Sequence, residues 1–549
     1  MTARIGNRFA LSQIASFAMA ETRLAARATP GVLRHFAPIV AWAAAAISLG
    51  AIVGFAAVVL PPMGAIGIVA LVAVVLLWVM PEVPLAYPAL IRKAFFVSLA
   101  TLLCVPDYYM IQVGGLPWIS ARRIAAFALI APFLLAVASS SEIRRRIADR
   151  ARSSPLIVIC AVGFFVMAML SIPASPFPAK SLSALVDAIM MWYVPFFAVI
   201  YFVRDENDVV LILKVICFCA LFNTACGLVE FFSHHRFLVD VIPKSMLASM
   251  LEDNPALAVL IGDDPMHGGL RGGLFRASST FIVALSFGEF EIIAIPIGLF
   301  FALHRQNLFE RSLGWTVAIT GIAGIFAANS RGGWVGFLAS MAVFVVIWSI
   351  RKALTDRASL APAFVGLAGA ISFAGAILLI LFWHRAHDMV LGGGATAGST
   401  DARWEQWHAA LPLIKENPIT GHGFITGGFD IGSSIDSYVI SLLVETGVPG
   451  LVFFAGVVCV PIWYGVRGYL TDLSQSGALA GALACSFVAF ITYRLVLSER
   501  ANHSLIFCLL GIVVVLNYEY ERRRAKEPRS YRAQRRSYLR SDGSGLETA

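Results

Sequence analysis

Apolar residues run along this chain in stretches of about 18 or more, and as a helix each is long enough to cross a hydrocarbon layer of about 30 Å. Short polar or basic segments separate them. The pattern predicts spans near 37–60, 62–80, 94–111, 122–139, 156–173, 182–203, 208–232, 279–303, 312–329, 332–350, 362–383, 438–465, 476–493 and 502–518, with 94–111 the weakest because Pro106 and Asp107 interrupt it. Closed strand barrels are the other structure that can satisfy every backbone polar group in lipid, and their period-two alternation is missing. The expectation is an all-α fold: a polytopic integral membrane protein of about 12–14 transmembrane helices with a large loop that carries short helices.

The polar segments divide the chain further. Residues 1–36 form a basic leading segment, 37–232 the first group of spans, 233–278 a long loop, 279–383 the central spans, 384–437 a second, larger loop, 438–518 the last spans, and 519–549 a basic, Ser-rich tail expected to be disordered against anionic lipid. Both loops exceed the usual length of connections, and loops of that length are usually functional or disordered. In the second, Trp404, Trp407, Leu411 and Ile414 recur at helical spacing and would lay an apolar stripe on the membrane interface. Pro412 would kink that helix and Asn417-Pro418 ends it, while Gly392-Gly393-Gly394 and Gly421-x-Gly423 bracket it with backbone that suits either a lid or a plain connector.

Composition agrees: of 549 residues, 59% are hydrophobic and only 14% charged, too few to cover a soluble fold of this length. The net charge of +9 invites a nucleic-acid reading, but topology accounts for it. Assigning alternate loops to opposite sides puts 29 of the 42 Lys and Arg on one side, including Arg4, Arg8, Arg23, Arg27, Arg34, the 144–152 loop, Lys214, Arg351, Lys352 and the tail from Arg522 to Arg540. By the positive-inside rule that side is cytoplasmic, as are both termini. The first apolar run is too long for a cleavable signal and follows more than thirty mostly polar or basic residues. All eight cysteines fall within predicted spans without a C-x-x-C pair, and read as small buried hydrophobes.

There is no G-x-x-x-x-G-K-[ST], H-E-x-x-H or dinucleotide-binding glycine fingerprint, so no nucleotide, metal or other cofactor is expected. Charge on the outer side is scarce. Arg331 lies in the tight turn Ser330-Arg331-Gly332-Gly333-Trp334, where its guanidinium fork would suit phosphate oxygens or, alternatively, snorkel to headgroups. Arg403 is four residues before Trp407 and could stack on it. Arg276, Arg494 and Arg500 border spans on the same face, where anchoring is at least as good a reading. Glu289, Glu291 and Glu445 fall inside spans, where a bare carboxylate costs at least about 2.5 kcal/mol, so each should face a cationic partner or water. Glu289 and Glu291 must point in different directions, whereas Glu445 lies two turns beyond Tyr438 on one face. Asp436 is the carboxylate best placed to meet a substrate, with helix capping as its alternative role.

These residues compose a recognisable pattern. Arg276-x-x-Ser279-Thr280-Phe281, Ser330-Arg331-Gly332-Gly333-Trp334, Arg403-x-x-x-Trp407 leading to Asn417-Pro418-x-x-Gly421-x-Gly423, and Asp436-Ser437-Tyr438 followed by Leu442-Leu443-x-Glu445-Thr446-Gly447-x-x-Gly450 together resemble the O-antigen ligase and polymerase superfamily of bacterial inner-membrane proteins. The resemblance covers roughly residues 270–460. It implies metal-independent glycosyl transfer on the periplasmic face from a sugar chain on undecaprenyl diphosphate, with flippase and chain-length regulator proteins as conceivable partners. It also implies that guanidinium groups at the positions of Arg331 and Arg403 stabilise the departing diphosphate. Arg276, Tyr438, Trp407, His422 and Arg494 are the expected substrate contacts, with Asp436 or Glu445 assisting the acceptor hydroxyl. Ligases of this superfamily usually carry a His-Asn pair before the span that begins here at Tyr438, whereas this chain has Ile435-Asp436; His422 could substitute only if the loop folds back. The Asp-Ser-Tyr variant looks more like the polymerases of exopolysaccharide or O-antigen. An O-antigen ligase is the nearest alternative, and a transporter or flippase of lipid-linked sugars is the alternative from another class, although the internal repeat it should show is missing.

Overall fold

A computed structural model describes residues 82, 88–111, 119–243, 270–271, 274–355, 360–382, 397–425 and 435–526, all within one compact unit of the chain. The predicted spans 37–60 and 62–80, the Gly392-Gly393-Gly394 run and the tail beyond 526 lie outside the described residues. The fold is all-α, with two short hairpins, Met110–Ile111 with Ile119–Ser120 and Leu270–Arg271 with Leu274–Phe275. In chain order the helices are α1 (Pro88–Cys104), α2 (Ala121–Ser139), α3 (Ser141–Ser153), α4 (Pro155–Ser171), α5 (Pro178–Ala188), α6 (Val194–Phe202), α7 (Glu206–Ser233), α8 (Ala284–His304), α9 (Leu308–Ala327), α10 (Arg331–Thr355), α11 (Ala361–Phe382), α12 (Ala397–Glu416), α13 (Tyr438–Thr471), α14 (Gln475–Arg494) and α15 (His503–Lys526). Among the described residues, nine helices are long and apolar enough to cross a membrane, with α5 and α6 counted as one.

Several boundaries differ from the hydropathy reading for local reasons. The run 94–111 becomes α1, which stops at Cys104 because the following residues lead into Pro106, whose ring cannot continue a helix. The run 279–303 becomes a helix only at Ala284, because residues 276–283 form an irregular segment held by side chains of α7. The span at 438–465 extends to Thr471 and contains Gly447 in a non-helical conformation (φ 69°, ψ −175°). Residues Ile189–Tyr193 form a π-helical turn that joins α5 to α6 into one continuous element.

Burial sorts the helices into inner and outer members. In the most apolar 18-residue stretch of each helix, 89% of α8, 83% of α14 and 78% of α15 is buried, against 22% for α10, which leaves apolar side chains such as Val335, Leu338 and Val346 exposed. α10 runs antiparallel to α14: Gly332 approaches Tyr493 and Val496, Gly336 approaches Ala489, and the Ser340 hydroxyl donates to the Cys485 carbonyl at 2.9 Å. The N-terminal ends of α10, α13 and α15 and the C-terminal end of α14 therefore meet at one end of the bundle. At the opposite end Lys214 pairs with Glu310, Arg305 bonds Gln475, Arg351 lies over Tyr469, and Arg523 pairs with Asp472. All eight cysteines are free and helical, but Cys459 is exposed on the flank of α13 where burial was expected.

Candidate functional site

The end of the bundle that carries Arg331 is organised around two buried ion pairs. Arg494, the last residue of α14, forks onto both oxygens of Glu289 of α8, and the Asn502 amide also donates to Oε2 of that carboxylate at 2.9 Å. Arg500, in the turn between α14 and α15, contacts Glu445 of α13 at 2.5 Å, and the second oxygen of Glu445 accepts from Ser441 at 2.7 Å. Burial pushes the Arg500 guanidinium down, but the neighbouring Glu445 carboxylate and Tyr438 phenol outweigh it and hold the group above its ordinary range, fully charged. Both guanidinium groups lie near the Tyr438 ring, at 5.5 and 5.4 Å from its centroid. Glu445 and Tyr438 thus share one face and one cationic partner.

Beneath this layer is an aromatic floor. His503, the first residue of α15, is fully buried; it stacks on Trp192 at 4.8 Å and Phe454 at 5.6 Å and meets Tyr438 edge-on at 5.0 Å. Trp192 reaches this position from the π-helical turn, a distortion that often marks functional regions because it re-aims one side chain. Glu291, two residues from Glu289, turns the other way, toward Gly321 and Gly324 of α9.

The tight turn before α10 is built for close approach. The Ser330 hydroxyl bonds Tyr493 Oη at 2.5 Å and accepts from the Gly333 N–H, capping the helix that Arg331 begins. A Cβ on Gly332 would meet Val496 and one on Gly333 would meet Ile325. Gly332 thus lets α10 dock against the end of α14 and Gly333 against α9, and Arg331 sits half-buried at the junction. Arg276 precedes the segment whose Ala277 N–H bonds the Ala327 carbonyl at the end of α9. Ser279 and Thr280, which follow it, anchor the segment instead of facing a ligand. The Ser278 and Ser279 N–H groups donate to Glu230 at 2.9 and 2.8 Å, and the Ser279 and Thr280 hydroxyls bond Asn223.

α12 packs through Trp407, Ala410, Leu413 and Ile414 on Ile435, Ile440 and Val444. The expected membrane stripe therefore divides: Trp407 and Ile414 turn toward α13, while Trp404 remains exposed. The loop after α12 does fold back. His422 and Gly423 N–H groups donate to the Val444 and Glu445 carbonyls at 2.7 and 3.1 Å, and Val448 N–H returns to Pro418 O at 2.8 Å. Gly421 (φ 67°) and Gly447 (φ 69°) allow the two backbones to meet without a Cβ between them, so this glycine pattern is a docking surface and not a loose connector. The His422 ring itself bonds the Leu413 carbonyl at 2.9 Å.

Arg403 lies one turn before Gln406, whose side-chain oxygen accepts from the Asp436 N–H at 3.0 Å; Arg403 Nε is buried without a hydrogen-bond partner among the described residues. Asp436 is half-buried just before the helix, and the capping position belongs to Ser437, which makes no side-chain cap bond. Arg276, Arg331, Arg403, Asp436, Tyr438, Glu445 and Arg494 thus all sit at or beside the same end of the bundle. Sequence reasoning undervalued Arg500 and missed Tyr493, Asn502 and His503. The polar cluster Glu499-Arg500-Ala501-Asn502-His503 between two apolar runs was the available signal.

Residues 315–455, roughly a quarter of the chain, match a family model described as O-antigen ligase; the stretch runs from α9 through α10, α11 and α12 into α13. No curated protein matches the chain.

Proposed function

Because the match over residues 315–455 supports a place for this multi-pass membrane protein in the O-antigen ligase/polymerase superfamily, we propose that it is a polysaccharide polymerase working on undecaprenyl-diphosphate-linked repeat units. In this reading an acceptor hydroxyl oxygen attacks the anomeric carbon of the donor sugar. The bond from that carbon to the diphosphate oxygen breaks, and the lipid diphosphate leaves with the electron pair. The hydroxyl proton passes to Asp436 or to water. Arg331 and Arg403 meet the charge that develops on the diphosphate, an effect often worth about 3–4 kcal/mol per donor in a site closed to water. Arg494 and Arg500 act differently, since their pairing with Glu289 and Glu445 makes them the wall of the site. Asp436 is preferred to Glu445 as the assisting carboxylate because both oxygens of Glu445 are already engaged.

The observation that carries this reading is the shared placement of Arg331 at the start of α10 and Arg403 on α12, at the end of the bundle that also gathers Tyr438 and Asp436. The basic residues crowd the other end, which supports a periplasmic location for the site and cytoplasmic termini in an inner membrane. Arg331→Ala should insert and fold yet lose chain elongation by two or more orders of magnitude. The measurement is extension of purified lipid-linked repeats in detergent, and full-length polymer from this variant would overturn the role. Asp436→Asn with undiminished turnover would remove Asp436 from the mechanism.

Transfer of a finished glycan to a lipid A core is the second reading, favoured by the ligase description of the matched family model. Against it stand Ile435-Asp436 where ligases carry His-Asn, and the His422 ring bonded to Leu413. Cells lacking the protein separate the two: loss of long chains marks a polymerase, long chains stranded on the lipid diphosphate mark a ligase. Extension of repeats by the purified protein would also exclude a transporter.

A further inference from the structure

At the end of the bundle opposite Arg331, the last turns of α13 and α15 and the first of α14 leave a recess of about 410 Å³ including its open mouth. Tyr464, Arg467, Asp472, Ser476, Asn517 and Tyr520 contribute its polar lining, while Ala480, Val513 and Leu516 form an apolar wall. No part of the proposed glycosyl transfer uses it.

Three observations define what it fits. Arg467 forms an ion pair with Glu521 through one N–H at 3.3 Å, and its other donors have no partner among the described residues. The carboxylate in the lining is already neutralised, because Asp472 accepts from Arg523 at 3.0 Å and from the Ser474 N–H at 3.0 Å. The phenols of Tyr464 and Tyr520 add two hydroxyl donors beside the guanidinium, and neighbouring Trp463 is 64% exposed on the same turn of α13. Tryptophan and tyrosine near a helix end mark the headgroup level of a bilayer, and a recess between spanning helices at that level with an arginine in its lining suits an anionic phosphate with apolar tails alongside. The apolar wall, formed by buried side chains of α14 and α15, has no use for a free inorganic ion.

We propose that this recess binds the phosphate headgroup of an anionic phospholipid, with Arg467 gripping the phosphate and Tyr464 and Tyr520 donating to its oxygens. The site is independent of the polymerase reading.

The test uses full-length protein purified in detergent and exchanged into phosphatidylglycerol, phosphatidylcholine or inorganic phosphate, with retained lipid read by native mass spectrometry. Wild type should retain phosphatidylglycerol over phosphatidylcholine by about fivefold or more, the preference that one guanidinium near an anionic surface confers. Arg467→Gln should abolish the preference. The Tyr464→Phe, Tyr520→Phe double variant keeps the packing and should reduce it severalfold, which covers the case of a poorly folding arginine variant. Replacing exposed Arg145 and Arg146 of α3 with Gln should leave it unchanged. Equal retention of the two lipids, displacement of phosphatidylglycerol by millimolar inorganic phosphate, or an unaltered preference in both recess variants would each overturn the proposal.

Discussion

Glu289 and Glu445 inside this bundle are paired with guanidinium groups, whereas buried Glu291 has no cationic partner among the described residues, and the pairing decides what each residue can do. Glu289 and Arg494 have almost no contact with solvent, so removing one partner leaves an uncompensated buried charge, a loss of about 3–5 kcal/mol. Glu289→Ala and Arg494→Ala should each lower the unfolding midpoint of the detergent-purified protein strongly, and the double variant should fall by clearly less than their sum. Additive losses in that double-mutant cycle would contradict the pair. Glutamates in apolar runs can be recognised from the cost of a bare carboxylate, but their partners cannot. Arg494 is 205 positions from Glu289 and Arg500 is 55 from Glu445, so only the folded chain brings them together. The same holds for Ser330 and Tyr493, 163 positions apart.

Among the elements, α12 and the segment before α8 gain their positions from backbone contacts that hydropathy does not register. The chain from Asn417 to Gly423 interlocks with α13 at Val444–Val448, and the fit depends on Gly447 at positive φ against the Pro418 and Ile419 carbonyls. Gly447→Ala should cost about 1–3 kcal/mol, since an L side chain is strained there whatever the space. It should also loosen α12, measured as faster hydrogen exchange across Ala397–Glu416 with the other helices unchanged. Helical spacing in the 400s did predict α12 and its end at Asn417. It misassigned the apolar stripe, because periodicity identifies a buried face without saying whether protein or lipid covers it. Ser279 and Thr280 behave similarly: they sit beside Arg276 in the motif, but their hydroxyls hold Asn223.

For the molecule as a whole, the arginine distribution gives a topological prediction. A cysteine at Ile419, exposed beside the site, should react with a membrane-impermeant maleimide in cells with a permeabilised outer membrane, while one at Arg524 should react only after the inner membrane is opened. Labelling of both from the same side would invert or break the arrangement on which the proposed donor site rests.

The order and approximate limits of the described spanning helices were legible in the sequence. Lipid demands about twenty apolar residues per crossing and internal satisfaction of every backbone group, so a one-dimensional pattern carries that information. The guanidinium and carboxylate residues worth examining were legible too, since charge is rare wherever water is scarce. Only the tertiary structure decided that Arg494 and Arg500 are held by Glu289 and Glu445, that the loop glycines dock two backbones, and that His503 lies on an aromatic floor beneath Tyr438. Those facts depend on which helix faces which, a matter of packing between distant segments that no local periodicity encodes.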